Sequence, residues 1–229
     1  LVFRVTFSED VASVDLADFA VSGTTATVSN VNQVSADVYD VTVSGGDLAG
    51  LDGTVGLDLA GGQNITDLAG NALPNTEPGT DQTYLVDNSA PSTPVADLQA
   101  ASDTGTSDSD DITNDTTPTI EISTEPGATV EWFIDGVSQG TTTADGGGVA
   151  TFTPSSDLAP GTYAFTAQST DDAGNTSAAS NALNVTIDTA APSTTSFERN
   201  TPATSPTNAD TLVFRVTFSE DVASVDLAD

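Results

Sequence analysis

Residues 1–18 read LVFRVTFSEDVASVDLAD, and residues 212–229 read the same eighteen letters again. Within this stretch Leu1, Phe3, Val5 and Phe7 alternate with Val2, Arg4 and Thr6. That is the period of two that a strand with one buried face requires. Identity at an offset of 211 residues, 212 less 1, marks one full period and the start of the next. The chain is expected to be a window on a tandem array, in which each unit touches mainly its neighbours. A start at Leu1 rather than Met is expected of an interior piece of a longer polypeptide.

Closing the period defines the units. The first domain type is expected over residues 1–88, lacking its leading strand, whose equivalent lies in residues 193–211. A second type is expected over residues 89–191, and residues 192–229 begin the next copy of the first. The boundaries fall at two Ala-Pro-Ser segments, where proline stiffens the connection and keeps the preceding residue extended. Tyr39, Val41 and Val43 alternate in the first unit, as do Val55, Leu57 and Leu59. In the second, Ile120 and Ile122 lead to Val130, Trp132 and Ile134, then Tyr163, Phe165 and Ala167, then Leu183, Val185 and Ile187. Pro126-Gly127, Asp135-Gly136, Gly146-Gly147-Gly148 and Pro160-Gly161 punctuate these runs as turns. No stretch carries a helical period. The pattern predicts an all-β chain of antiparallel sandwiches, about seven strands each, with Trp132 as the core aromatic.

Composition removes whole function classes. Asp and Glu number 34 against 3 Lys plus Arg, a net charge of −31. Nucleic acid is excluded, since counterion release needs cationic side chains; anionic lipid repels such a chain, and no apolar run reaches a membrane span. Compactness under this self-repulsion needs salt or bound cations. With no Cys and no His, disulfides, zinc sites of the usual kind and Cys or His nucleophile–base pairs are all absent. Hard divalent cations on oxygen ligands are the remaining staple.

The second unit carries SDTGTSDSDDITNDTTPTIEI, PGATVEWFIDG, LAPGTYAFTAQSTDDAGNTS and NVTIDTAAPS. It resembles the bacterial immunoglobulin-like repeats of giant surface adhesins, the extender modules of biofilm-associated and RTX-type adhesins. The first unit, with LVFRVTFSEDV, YDVTVSGGDLAGLDG and ITDLAGNAL, resembles a second repeat type of similar proteins. The resemblance implies extracellular stalk domains rigidified by Ca2+. The VDNSAP junction at residues 86–91 is also similar to the calcium linkers of cadherins.

Two acidic turns fit that picture. TDLAGN at residues 66–71 returns as TDDAGN at residues 170–175, and each is followed about twenty residues on by an acid near a proline, Asp87 and Asp188. In an immunoglobulin-like sandwich the loop before the last strand lies where the chain enters, and the last strand leaves at the opposite end. Asp87 and Asn88 are then expected to approach Asp171, Asp172 and Asn175. Asp188 is expected to approach Asp67 and Asn71 of the following unit, with Glu9, Asp10 and Glu125 at the same ends. Converging carboxylates and amide carbonyls suit Ca2+, which takes six to eight oxygens. Read alone, such a turn is ordinary, because Asp, Gly and Asn favour turns for local reasons. A second cluster gathers Asp103, Asp108, Asp110, Asp111, Asn114 and Asp115 before Ile120. Its spacing is not that of an EF-hand, and its bland reading is a solvated acidic loop.

The function expected is a structural stalk or fibre segment of an extracellular adhesin, stiffened by Ca2+. Its partners are neighbouring repeats of the same chain, with self-association into fibres. The alternative is a carbohydrate- or surface-binding module; an enzyme is not expected, because each acid cluster has a structural use. Arg4 is expected to face solvent from its strand.

Overall fold

A computed structural model describes residues 1–223, 225 and 226; the end of the expected third segment, residues 224 and 227–229, lies outside the described residues. The chain forms two compact units. One comprises Leu1–Ser92 together with Thr170–Ser177, the other Thr93–Ser169 together with the described residues of Ala178–Asp229.

The first unit contains β1 (Val2–Thr6), β2 (Val11–Ala12), β3 (Phe19–Ser22), β4 (Thr27–Ser35), β5 (Val38–Ser44), β6 (Gly53–Leu59), β7 (Thr66–Asp67) and β8 (Tyr84–Val86). Sheets ordered β1-β5-β4 and β3-β6-β8 contribute the core, with β2 and β7 as a short third pair. Alternation sets the faces. Phe3, Val41 and Val43 are buried between the sheets. On the solvent face Arg4 stands opposite Asp40 and donates to both its carboxylate oxygens, Nε at 2.8 Å and Nη2 at 2.9 Å. Exposed pairs of this kind contribute little net stability; this one fixes the pairing of β1 on β5.

Asp18 is 1% exposed, a costly place for a carboxylate unless donors surround it. Asp15 N donates to its Oδ2 at 2.7 Å and Asn64 N to its Oδ1 at 2.9 Å, so it ties the turn at Leu16–Asp18 to the loop ahead of β7.

The second unit contains β9 (Ala96–Leu98), β10 (Ile112–Thr113), β11 (Ile120–Ser123), β12 (Thr129–Ile134), β13 (Val137–Thr143), β14 (Val149–Phe152), β15 (Gly161–Thr170) and β16 (Leu183–Ile187). A five-stranded sheet, β10-β16-β15-β12-β13, faces a three-stranded one, β14-β11-β9. β10 joins β16 in parallel, whereas β12 with β13 and β15 with β16 are antiparallel. The hairpin between β12 and β13 turns on Asp135 and Gly136, both at positive φ (50° and 77°), as a two-residue turn matched to strand twist requires. Trp132 is 1% exposed, stacks on Phe152 at 5.6 Å between ring centroids, and donates from Nε1 to Thr142 Oγ1 at 2.8 Å. Its bulk is thus dry while its single donor is satisfied.

A further hairpin pairs β17 (Thr194–Thr201) with β18 (Val213–Phe218). The architecture is the all-β, immunoglobulin-like sandwich expected from the alternation, and among the described residues no helix is long and apolar enough to cross a membrane.

Removing the Trp132 ring leaves a void that close-packed strands cannot collapse around. Trp132→Ala is expected to cost about 3–5 kcal/mol, read by denaturant unfolding followed with circular dichroism.

Candidate metal centre

The two repeated turns fold alike. Asp67 Oδ1 accepts from Ala69 N and Asn71 N, both at 2.8 Å, and Oδ2 accepts from Asn71 Nδ2 at 2.6 Å. Asp171 Oδ1 accepts from Asn175 N at 2.8 Å and Oδ2 from Asn175 Nδ2 at 2.9 Å. Gly70 and Gly174, at φ of 87° and 93°, let the backbone close each loop. The Asn side chains, acting first, hold both carboxyls below the ordinary carboxylate range. Depressed values mean that the stability these turns contribute is present above the unfolded carboxylate pKa and is lost as pH falls through the folded one. The recurrence of Asp-x-Ala-Gly-Asn therefore has a local cause, an acid and an amide satisfying each other across a glycine turn.

Within the first unit, Asn175 Nδ2 also donates to Asp87 O at 3.0 Å, so the turn at residues 170–175 meets the end of β8. The contact uses the main-chain carbonyl. The Asp87 carboxylate instead accepts from Ser89 N at 2.9 Å. Asn88 is held by a residue that the sequence reading passed over: its N donates to Asp52 Oδ1 at 2.6 Å, and Ser89 Oγ donates to Asp52 Oδ2 at 2.6 Å. Asn88 Nδ2 binds Leu48 O and Leu51 O at 3.1 and 2.7 Å. Asp52 precedes a glycine in the quoted GLDG turn, the signal that could have singled it out. Glu9, Asp10, Glu125 and Asp172 are exposed. Asp188 Oδ1 accepts from Ala190 N at 2.9 Å.

The acidic loop of the second unit is divided by the fold. Asp115 turns inward to Ser102 Oγ (2.9 Å) and Thr117 N (2.9 Å), Asn114 Oδ1 accepts from Thr104 Oγ1 (2.7 Å), and Asp110 Oδ1 accepts from Ile112 N (3.2 Å). These three serve the loop itself. Asp103, Asp108 and Asp111 instead line a cavity of about 280 Å³, together with Asp97 of β9 and Glu121 of β11. Asp97 and Glu121 stand directly opposite in the β9–β11 pairing. Like charges so placed repel, and this cross-strand acid pair is the signal that the sequence reading lacked.

Asp103 is the unusual member. It is 5% exposed. Its Oδ2 accepts from Asp111 N at 3.4 Å, while its Oδ1 is buried with no hydrogen-bond partner. Asp111 sits at φ 58°, and burial first, then the charges of Asp103, Asp97 and Asp110, raises its carboxyl above the ordinary value. Among the described residues no three acidic side chains stand close enough to hold one ion as they are. The donor chemistry nevertheless fits a hard cation: every side-chain ligand on offer is oxygen, and one buried carboxylate oxygen lacks a partner.

Residues 90–189 match the family model of a bacterial Ig-like domain. Among solved structures, the chain is similar to a BSP domain of a biofilm-associated protein, at 21% identity over 82% of this chain and 29% of that one, with a TM-score of 0.32. It is similar to a tetra-tandem repeat from the extending region of a large adhesion protein, at 16% identity over 86% and 45% of the two chains, TM-score 0.35. A third is the adhesin InvE of Yersinia pseudotuberculosis, at 15% identity over 80% and 50%, TM-score 0.29. This chain thus spans half or less of the length of each. No curated protein matches the sequence.

A raised carboxyl value in the folded state means that ionising Asp111 weakens the fold. The penalty is absent below the unfolded pKa and complete above the folded one. Asp111→Asn keeps a residue that tolerates positive φ and removes that charge. It is expected to stabilise the calcium-free protein at neutral pH, with the advantage vanishing in acid, as measured by denaturant unfolding at the two pH values.

Proposed function

We propose that this chain is a structural segment of the stalk of a bacterial surface adhesin, working outside the cell, and that Ca2+ bound at its acidic loop stiffens it. The observation that carries the reading is the repeat itself: LVFRVTF forms β1 at one end of the period and β18 at the other. Eighteen residues copied without change at an offset of 211 favour length over chemistry. The bacterial Ig-like domain at residues 90–189 supports the same reading.

Asp103, Asp108 and Asp111 with Asp97 and Glu121 would hold the ion. Bound there, Ca2+ supplies positive charge to a crowded cavity and a partner to Asp103 Oδ1. Asp103, through its backbone N–H to Gln99 O at 2.9 Å, orients the start of the loop against β9. Asp111, through its O accepting from Thr186 N at 2.8 Å, ties the end of the loop to β16. The loop thus spans both sheets of the sandwich, and fixing it fixes the end of the domain. At the other junctions Asp87, Asp172 and Asp188 offer further carboxylates, and a cation there would clamp consecutive repeats.

Calcium titration calorimetry on the chelator-treated protein tests this. The parent is expected to bind Ca2+ and gain about 2.7 kcal/mol of stability at a hundredfold excess over Kd. Asp103→Asn is expected to lose that binding, while Asp172→Asn keeps it. No heat and no change in melting temperature with the parent protein would contradict the reading; loss in Asp172→Asn alone would move the ion from the loop to the turn.

A further inference from the structure

The acids around the cavity of the second unit stand on two walls. Ile120 and Ile122 are buried in the core, so Glu121 between them, with Asp97 opposite, projects from the outer face of the β9–β11 pair. Gln99 Nε2 donates to Glu121 Oε2 at 2.8 Å and holds that carboxylate in place. The loop supplies the second wall, with Asp103, Asp108 and Asp111. Asp111 answers to both walls. The charges of Asp103 on the loop and of Asp97 on the sheet each act on its carboxyl, and its N donates to Asp103 Oδ2 at 3.4 Å.

A single ion matches this set poorly. Ca2+ takes six to eight oxygens, whereas these five carboxylates, at two oxygens each, offer ten. One divalent ion would also leave three of their five negative charges uncompensated. The side chains are spread as well: among the described residues no three of them converge on one ion as they stand. A volume of about 280 Å³, at roughly 30 Å³ for a water molecule, holds two ions with part of their hydration.

On the reading of this loop as a calcium site, we propose that the cavity takes two ions: a loop ion on Asp103 and Asp108 and a sheet ion on Asp97 and Glu121, with the Asp111 carboxylate shared between them. The loop ion binds first, because Asp103 Oδ1 is the buried oxygen without a partner. Its charge draws in Asp111, which then completes the site of the sheet ion. Asp97 and Glu121, which repel each other across the strands, gain a cation between them. The sheet ion pins the loop to the face of β9 and β11 through side chains, in addition to the backbone bonds that tie the two ends of the loop.

Native mass spectrometry of the whole chain at saturating free Ca2+ counts the ions, and the number lost by each variant assigns them. Asp97→Asn and Glu121→Gln are each expected to lose one ion relative to the parent and keep the loop ion. Asp103→Asn is expected to lose two, because the sheet ion follows the loop ion. Asp97 is exposed, so its variant decides the matter on its own should Asp103→Asn fail to fold. Loss of one ion in Asp103→Asn with none lost in Asp97→Asn or Glu121→Gln would overturn the two-ion site and leave a single ion on the loop. Loss of the same single ion in all three variants would overturn it too, placing one ion against both walls. A parent that binds no Ca2+ would remove the calcium reading itself.

Discussion

Repulsion among carboxylates is the constraint under which every part of this chain folds. Thirty-four acids face three arginines, so ion pairing can satisfy few of them. The fold turns to its own N–H and O–H groups instead. Asp47 accepts from the Thr24 hydroxyl and from Thr25 N, Asp52 from Ser89 and Asn88, and Asp145 from Val149 and Gly147; each is held below the ordinary carboxylate value by those donors. A carboxylate with several donors favours its charged form, so these loops are ordered by the same groups that would otherwise drive them apart. Asp18 carries the device furthest, buried and fully satisfied by backbone N–H groups.

One place escapes this solution. Around Asp103 the acids outnumber the donors: Oδ1 is buried without a partner, Asp111 is pushed toward its protonated form, and Asp97 and Glu121 stand side by side on neighbouring strands. A fold that supplies donors to its other buried carboxylate oxygens and leaves Asp103 Oδ1 without one leaves room for a ligand that carries charge of its own. That contrast, rather than the number of acids, separates the loop from a merely solvated one.

The strands were legible because alternation is a two-residue period that a buried face enforces. Phe3, Val41, Val55, Trp132 and Val185 are core residues for the reason that their spacing gives, and the Asp135-Gly136 turn is where its dipeptide puts it. The acidic positions were only partly legible. Proximity in sequence suggested that Asp103 to Asp115 act together, yet backbone geometry sends Asn114 and Asp115 one way and Asp103 and Asp111 another. Asp97, Glu121 and Asp52 come from other strands and loops, and which strands become neighbours is a tertiary fact that no local window contains. The Asp-x-Ala-Gly-Asn turns were found, and their mutual Asp–Asn hydrogen bonds give them a purpose that needs no ion.

The proposed stalk ties the mechanical and chemical parts together, because an array of such units would meet the same crowding at every period. The most direct test is unfolding free energy against Ca2+ concentration, with total ionic strength held constant by a monovalent salt. The account predicts stability that climbs by about 1.4 kcal/mol per tenfold rise in free Ca2+ for each ion bound only by the folded state, above its Kd. A flat line, with monovalent salt serving as well as calcium, would show that general screening suffices and would contradict it.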